Sequence, residues 1–248
     1  MKSIKNNPII VPLEFKVACA MNKIEIQQAL QIFIDHVSLY DTLSNVYSEG
    51  FTEATKTTSY YILSKKDNLN SSRSMRKCQN IAVSCIRLIV SLTKKTPDTV
   101  DDNRKKIQVL IIKLFAGMEH LYAPKNQLEI GQYGILNLNE DFCILCELHS
   151  CYPNEFLEYF MNNVSLAEAH AREGLKLYVE NLPLACFVKI NNTLRKDKDV
   201  IVSLDDEEKA FYQKSRELRL SLFNIRDLEE RTRILREFYL SYYQKMNP

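Results

Sequence analysis

The stretch CILCELHSC places Cys143, Cys146, His149 and Cys151 close together, three thiols and an imidazole of the kinds that hold zinc. A structural zinc site usually draws its second ligand pair from a separate segment, whereas these four fall in a span, about 139–151, that reads as one helix. Side chains on a helix turn by about 100° per residue, so steps of three, three and two residues fan the four groups around the axis. The expectation is a cysteine-rich core helix with no metal, because a reduced cysteine packs as a small hydrophobe. Three other acidic–histidine pairs, Glu119-His120, Glu147-x-His149 and Glu168-x-His170, lack the three-residue step that di-iron helices use. There is no Gly-rich phosphate loop, no Gly-x-Ser-x-Gly elbow and no His-Glu-x-x-His. No catalytic residue and no cofactor is therefore expected.

Two further groups of side chains suit binding rather than catalysis. Lys65, Lys66, Arg73, Arg76 and Lys77 crowd one Ser- and Asn-rich segment, the most basic local patch in the chain. It reads as a solvated loop, or as a set of phosphate contacts if nucleic acid is a partner. The second group is Gln27, Gln28 and Gln31 in VACAMNKIEIQQALQIFIDHVSL, residues 17–39. Ala18 and Cys19 are small enough for close helix crossing, Ile24 can plug a turn, and Ala29, Leu30 and Phe33 can anchor a second helix. The three glutamines would then share its free face. Glutamine pairs bidentately with adenine in the major groove.

In pattern this stretch resembles the helix-turn-helix of tetracycline-repressor-type regulators. Asn22-Lys23-Ile24-Glu25 stands at the family's turn, Leu30, Ile32 and Phe33 at its aromatic run, and Leu39 at its closing leucine. Lys23 replaces the turn glycine, Leu30 a tyrosine and His36 a lysine. The resemblance implies DNA as partner, with Gln27, Gln28 and Gln31 on bases and Lys16, Lys23 and the Lys65–Lys77 segment on phosphates. It also implies a helical core and two C-terminal helices that form a homodimer.

The elements that must carry these residues are helices. Only 5 Gly and 7 Pro in 248 residues leave little material for tight β-turns, and capped amphipathic segments recur throughout. Pro12 fits the first helical position of one helix, and Asn22 with Glu25 a cap for the next. A third helix is expected over 42–64, followed by NIAVSCIRLIVSL, apolar nearly all round and therefore central. Thr99 can cap, and Pro124 close, the helix after it. Residues 125–138, with Gly131 and Gly134, read as an irregular connection. Helices are expected at about 139–151, 154–163 and 166–181, the last opened by a Ser165–Glu168 capping box. Residues 183–194 are ambiguous and DKDVIVS can be extended.

Ser203 and then Asn224 with Asp227 open two C-terminal helices. Their apolar positions form a stripe, with Leu218, Leu222, Leu228, Leu235, Phe238, Tyr239 and Tyr242 as its partner-facing candidates. That stripe can dock on its own domain, or pair with a second subunit or another protein.

The fold class expected is an all-α multi-helix bundle with a C-terminal antiparallel helical pair. Its parts are an N-terminal corner over 1–45, a core over 46–195 and the pair over 196–248, packed as one domain. A net charge of +2 gives no general pull toward nucleic acid or anionic lipid. Arg87 and Lys113 interrupt the longest apolar runs, so no membrane span is expected. With no signal peptide and an odd count of seven cysteines, the chain reads as cytoplasmic with reduced thiols. Three functions remain open, in this order: a non-enzymatic regulator that binds DNA through the N-terminal helices, a helical protein–protein interaction module, and an enzyme acting on a small apolar ligand in the helical core.

Overall fold

Backbone hydrogen bonds close locally almost everywhere in this chain, as few turn-formers and many amphipathic segments require. The computed structural model describes residues 9–44, 52–65, 73–93, 100–122, 127–149, 151–197 and 206–246. In chain order the elements are α1 (Leu13–Met21), α2 (Ile26–Asp35), α3 (Leu39–Ser44), α4 (Thr52–Ser64), α5 (Arg73–Thr93) and α6 (Val100–Tyr122). Strands β1 (Gln127–Glu129) and β2 (Ile135–Asn137) come next. They are followed by α7 (Glu140–Leu148), α8 (Pro153–Asn162), α9 (Leu166–Leu175), α10 (Leu182–Asp197), α11 (Asp206–Ser221) and α12 (Leu228–Met246). The all-α class stands, with one small antiparallel hairpin added.

Several boundaries differ from those expected. The helix expected over 42–64 is represented by α3 and α4, with 45–51 outside the described residues. Residues 125–138 contain the hairpin, in register Gln127 with Asn137, Leu128 with Leu136 and Glu129 with Ile135. Gly131 and Gly134 carry positive φ there, and Ile130 N–H donates to the Gly134 carbonyl at 2.9 Å. Helix α9 stops at Leu175 because Lys176 turns left-handed (φ 58°) and its N–H caps the Glu173 carbonyl. The ambiguous 183–194 lies inside α10. Pro12 precedes α1 rather than opening it. Thr99, Pro124, Ser203 and most of DKDVIVS lie outside the described residues.

Asn22 does not open α2. Its Nδ2 donates to the Ala18 carbonyl at 2.8 Å and its Oδ1 accepts from Asn191 Nδ2, so it ends α1 instead. The Ser165 cap does form, with Glu168 N–H donating to Ser165 Oγ. The Glu168 carboxylate turns to Arg172 rather than back to the cap. Asp227 caps α12 through Glu230 N–H at 2.7 Å.

Contacts divide the chain into two units, one of Met1–Ile10 and Gln27–Phe160, the other of Val11–Ile26 and Met161–Pro248. The division differs from the expected three parts: residues 1–45 are shared between the units, and the C-terminal pair belongs with α1 and α9. In the first unit Phe33 stacks on Phe160 (4.3 Å between ring centres, 11°), and Phe156 meets Tyr61 and Phe142 edge-on. Buried Thr57 and Thr58 satisfy their hydroxyls on helix carbonyls of α4.

The second unit is built on α9 and α12. Val17, Ala167, Ala171, Phe211, Leu222, Leu235 and Tyr239 form its core. The small Ala167 and Ala171 let α12 approach α9 closely. Phe211 stacks on Tyr242 at 4.0 Å and on Phe238 at 5.5 Å. The aromatic stripe thus closes within its own unit, the first of the alternatives left open by the sequence.

Candidate partner-binding surface

Two of the three glutamines expected on a free face, Gln27 and Gln31, are occupied. Gln27 Nε2 donates to the Ile135 carbonyl at 2.8 Å. The Gln31 carboxamide behaves like a strand residue, donating to the Asn137 carbonyl at 2.9 Å and accepting from Asn137 N–H at 2.8 Å. Together they cover the outer edge of β2, a row of backbone groups that would otherwise invite another strand. Gly134 is required beside them: at φ 108° a Cβ would also meet the Gln27 carboxamide at 2.8 Å. Asn139 completes the join, capping α7 through Phe142 N–H and donating to the Ile34 carbonyl.

The residues named for DNA divide between the two units. Lys16 and Lys23 belong to the second unit, whereas Gln27, half-buried Gln28, Gln31 and Lys65 belong to the first. Lys65 pairs with Glu155 at 2.6 Å and lies over the Tyr61 ring. Burial works against its ammonium, but the bonds to Glu155 and Tyr61 outweigh burial and hold its pKa up. Lys66 lies outside the described residues. Arg73, Arg76 and Lys77 fall in α5, with side chains outside the description. Of the stripe residues, Leu222, Leu235 and Tyr239 are buried, while Leu218, Leu228, Phe238 and Tyr242 pack against them half-buried.

The buried nucleophiles are held in unreactive states. Burial pushes the Cys19 thiol up to about 12 and those of Cys143 and Cys151 up to about 11, and holds that of Cys146 well above the ordinary thiol value. Such thiols carry almost no thiolate. No cluster of three or more metal-ligating side chains occurs among the described residues. In the second unit the Tyr239 hydroxyl meets His170 Nδ1 at 2.6 Å and Ser215 Oγ at 3.2 Å. Ser215 reaches the imidazole only through the phenol, so no base activates it. This chain ties α9, α11 and α12 together.

The outer face of α5 and α6, in the first unit, has a different character. Ile89, Ile107 and Ile111 form the buried seam between these helices. On the opposite side Val109 is 64% exposed, Ile112 57% and Leu88 51%, with Ile81 and Val90 also exposed. NIAVSCIRLIVSL is therefore not central: only Ala82, Cys85 and Ile89 of it are buried among the hydrophobic residues. The two helices run antiparallel. Asn103 Nδ2 donates to the Leu92 carbonyl at one end, and Gly117 faces the Ile81 side chain at the other. A Cβ on Gly117 would stand 3.0 Å from Ile81, so the missing side chain is what lets the helices approach there. That register sets Leu88 level with Val109.

By helical spacing Leu88 shares one side of α5 with Ile81, seven residues before it, and Val109 shares one side of α6 with Ala116 and Ile112, turned away from the Ile107–Ile111 seam. The result is an exposed aliphatic face. Its sequence signal was a helix with apolar residues on both faces: Val109 and Ile112 sit opposite Ile107, Ile111 and Leu114. Compared with protein-family models, with curated proteins and with solved structures, the chain matches none.

Proposed function

We propose that this chain is a non-enzymatic helical protein-interaction module whose binding surface includes the outer face of α5 and α6. The observation that carries this reading is the exposure of Leu88, Val109 and Ile112 along adjacent helices whose opposite faces already form a core. Each aliphatic side chain taken from water contributes roughly 1.5–3 kcal/mol, which a partner gains and the isolated chain forgoes. Adjacent exposed aliphatics on rigid helices fit a docking surface better than scattered single ones do.

Two of the three glutamines that would read bases, Gln27 and Gln31, are committed to the hairpin, so DNA binding through α2 would first have to break those bonds. One feature of that alternative has support: a tight turn does follow α1, with Ile24 buried in it. Photocrosslinking separates the readings. With a photoreactive residue at position 112, discrete crosslinked protein bands are expected in cells expressing the chain, and none from a control at exposed Arg233. Absence of a discrete adduct, together with a saturable shift of DNA at low salt, would overturn the module.

A further inference from the structure

We infer that a second copy of this chain docks on the exposed segment between α9 and α10, the two segments pairing as antiparallel strands. The surface lies in the second unit and is independent of the α5–α6 face. Leu177, Tyr178, Val179 and Glu180 run without helix, turn or bend. Leu177 is 45% exposed, Tyr178 87% and Val179 63%, and Glu180 is exposed beside them. An aromatic ring held so far out in water between two aliphatic neighbours is the residue choice of a strand, not of a solvated loop.

Both ends of the segment are fixed. Leu177 N–H donates to the Arg172 carbonyl at 2.9 Å and Lys176 N–H to that of Glu173 at 3.0 Å, which closes the end of α9. Asn181 opens α10: its Oδ1 accepts Leu184 N–H at 2.9 Å, while its Nδ2 donates to the Asn163 carbonyl at 2.9 Å. Between these anchors the N–H groups of Tyr178, Val179 and Glu180 make no hydrogen bond with the described residues. A short edge of this kind is a template for another strand, and its ordering cost is met by folding rather than by binding.

The occupant is a copy of this chain because the segment is complementary to itself. In an antiparallel pair centred on Tyr178, Leu177 of each copy faces Val179 of the other, and Lys176 faces Glu180. Two aliphatic pairs and two ion pairs then flank one aromatic pair on a two-fold axis. Lys176 is left-handed at φ 58° and stands just outside the strand, so its long side chain makes that reach. Both Lys176 and Glu180 are exposed and without an ion pair among the described residues. Shifting the register by one or two residues either way breaks both charge pairs. The pattern of main-chain bonds agrees: Leu177 N–H is already committed to α9, so the pair that exchanges bonds is Tyr178 with Tyr178. A foreign strand offers the same backbone bonds without this match of charges.

Five residues a side make a small contact, so the association is weak and depends on concentration. Sedimentation equilibrium of the full chain, from about 10 µM to about 1 mM, should give a dissociation constant on the order of 100 µM. Lys176→Glu and Glu180→Lys should each weaken self-association at least about tenfold, because both ion pairs become like-charge pairs. An equimolar mixture of the two variants should associate at least as tightly as the unmodified chain, since every facing charge is then opposite. Misfolding cannot produce that recovery.

Three results would each overturn the inference: a monomer throughout that range, a dimer that both reversals leave intact, or a mixture no tighter than its separate components. A photoreactive residue at position 178 that captures another protein or a lipid vesicle, and gives no self-adduct, would overturn it equally. None of these outcomes bears on crosslinking at position 112, which tests the α5–α6 face by itself.

Discussion

Two helix pairs, α5–α6 in one unit and α9–α12 in the other, solve the same problem in opposite ways. Each has a hydrophobic seam between two helices. In α9–α12 the seam continues into a cluster with α1 and α11, so Phe211, Leu235 and Tyr239 are all buried. In α5–α6 only one side of the pair is covered, and Leu88, Val109 and Ile112 remain in water. The sequence points the other way for the first pair, with the near-continuous apolar run read as central, and leaves the striped C-terminal helices open between their own domain and a partner. Burial is decided by how many neighbours can reach a helix, not by how apolar it is. Small residues at 167 and 171 let α12 approach α9, whereas Arg87, Lys105 and Lys113 keep the outer side of α5–α6 wet.

The largest test of this contrast removes the same kind of contact on both sides. Leu235→Ala should destabilise the second unit by about 3 kcal/mol, the cost of a cavity in a packed core. Ile112→Ala should change stability by under about 0.5 kcal/mol, because its side chain is already solvated. Amide hydrogen exchange resolved by peptide reports both. If Ile112→Ala exposed α6 as strongly as Leu235→Ala exposes α12, the outer face would be core and the docking proposal would lose its basis.

The hairpin clamp supplies the next two effects. Gly134→Ala should cost about 2 kcal/mol, since the left-handed backbone disfavours a Cβ and the Gln27 carboxamide occupies its place. Gln31→Ala should cost about 1 kcal/mol, leaving Asn137 N–H and C=O to water. Exchange at Asn137 N–H should speed in both variants. Protection unchanged by Gln31→Ala would mean that the glutamine is free after all, and would reopen α2 as a reading surface.

A smaller effect belongs to His170. Burial, reinforced by Arg219, lowers its pKa below the ordinary 6.5, with Glu173 opposing. The unfolded chain therefore takes up the proton first as pH falls. Stability held above pH 6.5 should be lost progressively below it, on the order of 1 kcal/mol if protonation of His170 breaks its bond to Tyr239. His170→Gln should flatten that slope in peptides of α9 and α12. Burial lowers His149 in the other unit as well, so a slope confined to α7 would assign the acid response there instead.

How much of this was legible follows from the range of the interactions. Capping at Ser165 and Asp227 depends on neighbours three residues away, and the sequence shows it. The bond from Gln31 to Asn137 joins residues 106 apart. Nothing local distinguishes a glutamine that covers a strand edge from one that faces DNA. Asn22 misleads for the same reason: its cap partner is Ala18 behind it, and its second bond comes from Asn191. The hairpin was missed because Leu128 and Ile135 alternate over only three residues each. The exposed outer face was missed because apolar residues on both faces of α6 read as burial on both.

The smallest effect concerns the turn after α1. Lys23 holds a φ of 55°, the left-handed conformation a glycine adopts without strain. Cys19 accepts the Ile24 N–H at 3.0 Å and Ala20 the Lys23 N–H at 3.1 Å, so the turn is a closed helix end that fixes this φ. Lys23→Gly relieves the Cβ clash but makes the unfolded chain more flexible, and the first effect wins in left-handed sites by about 0.5–1 kcal/mol. A rise of that size in the unfolding free energy, with slower exchange at Ile24, is expected. The same substitution at Lys176, also left-handed at φ 58°, should act alike. If Lys23→Gly destabilised the chain while Lys176→Gly stabilised it, what the Lys23 side chain holds would outweigh the backbone strain, and the turn would have to be read by its lysine rather than by its backbone.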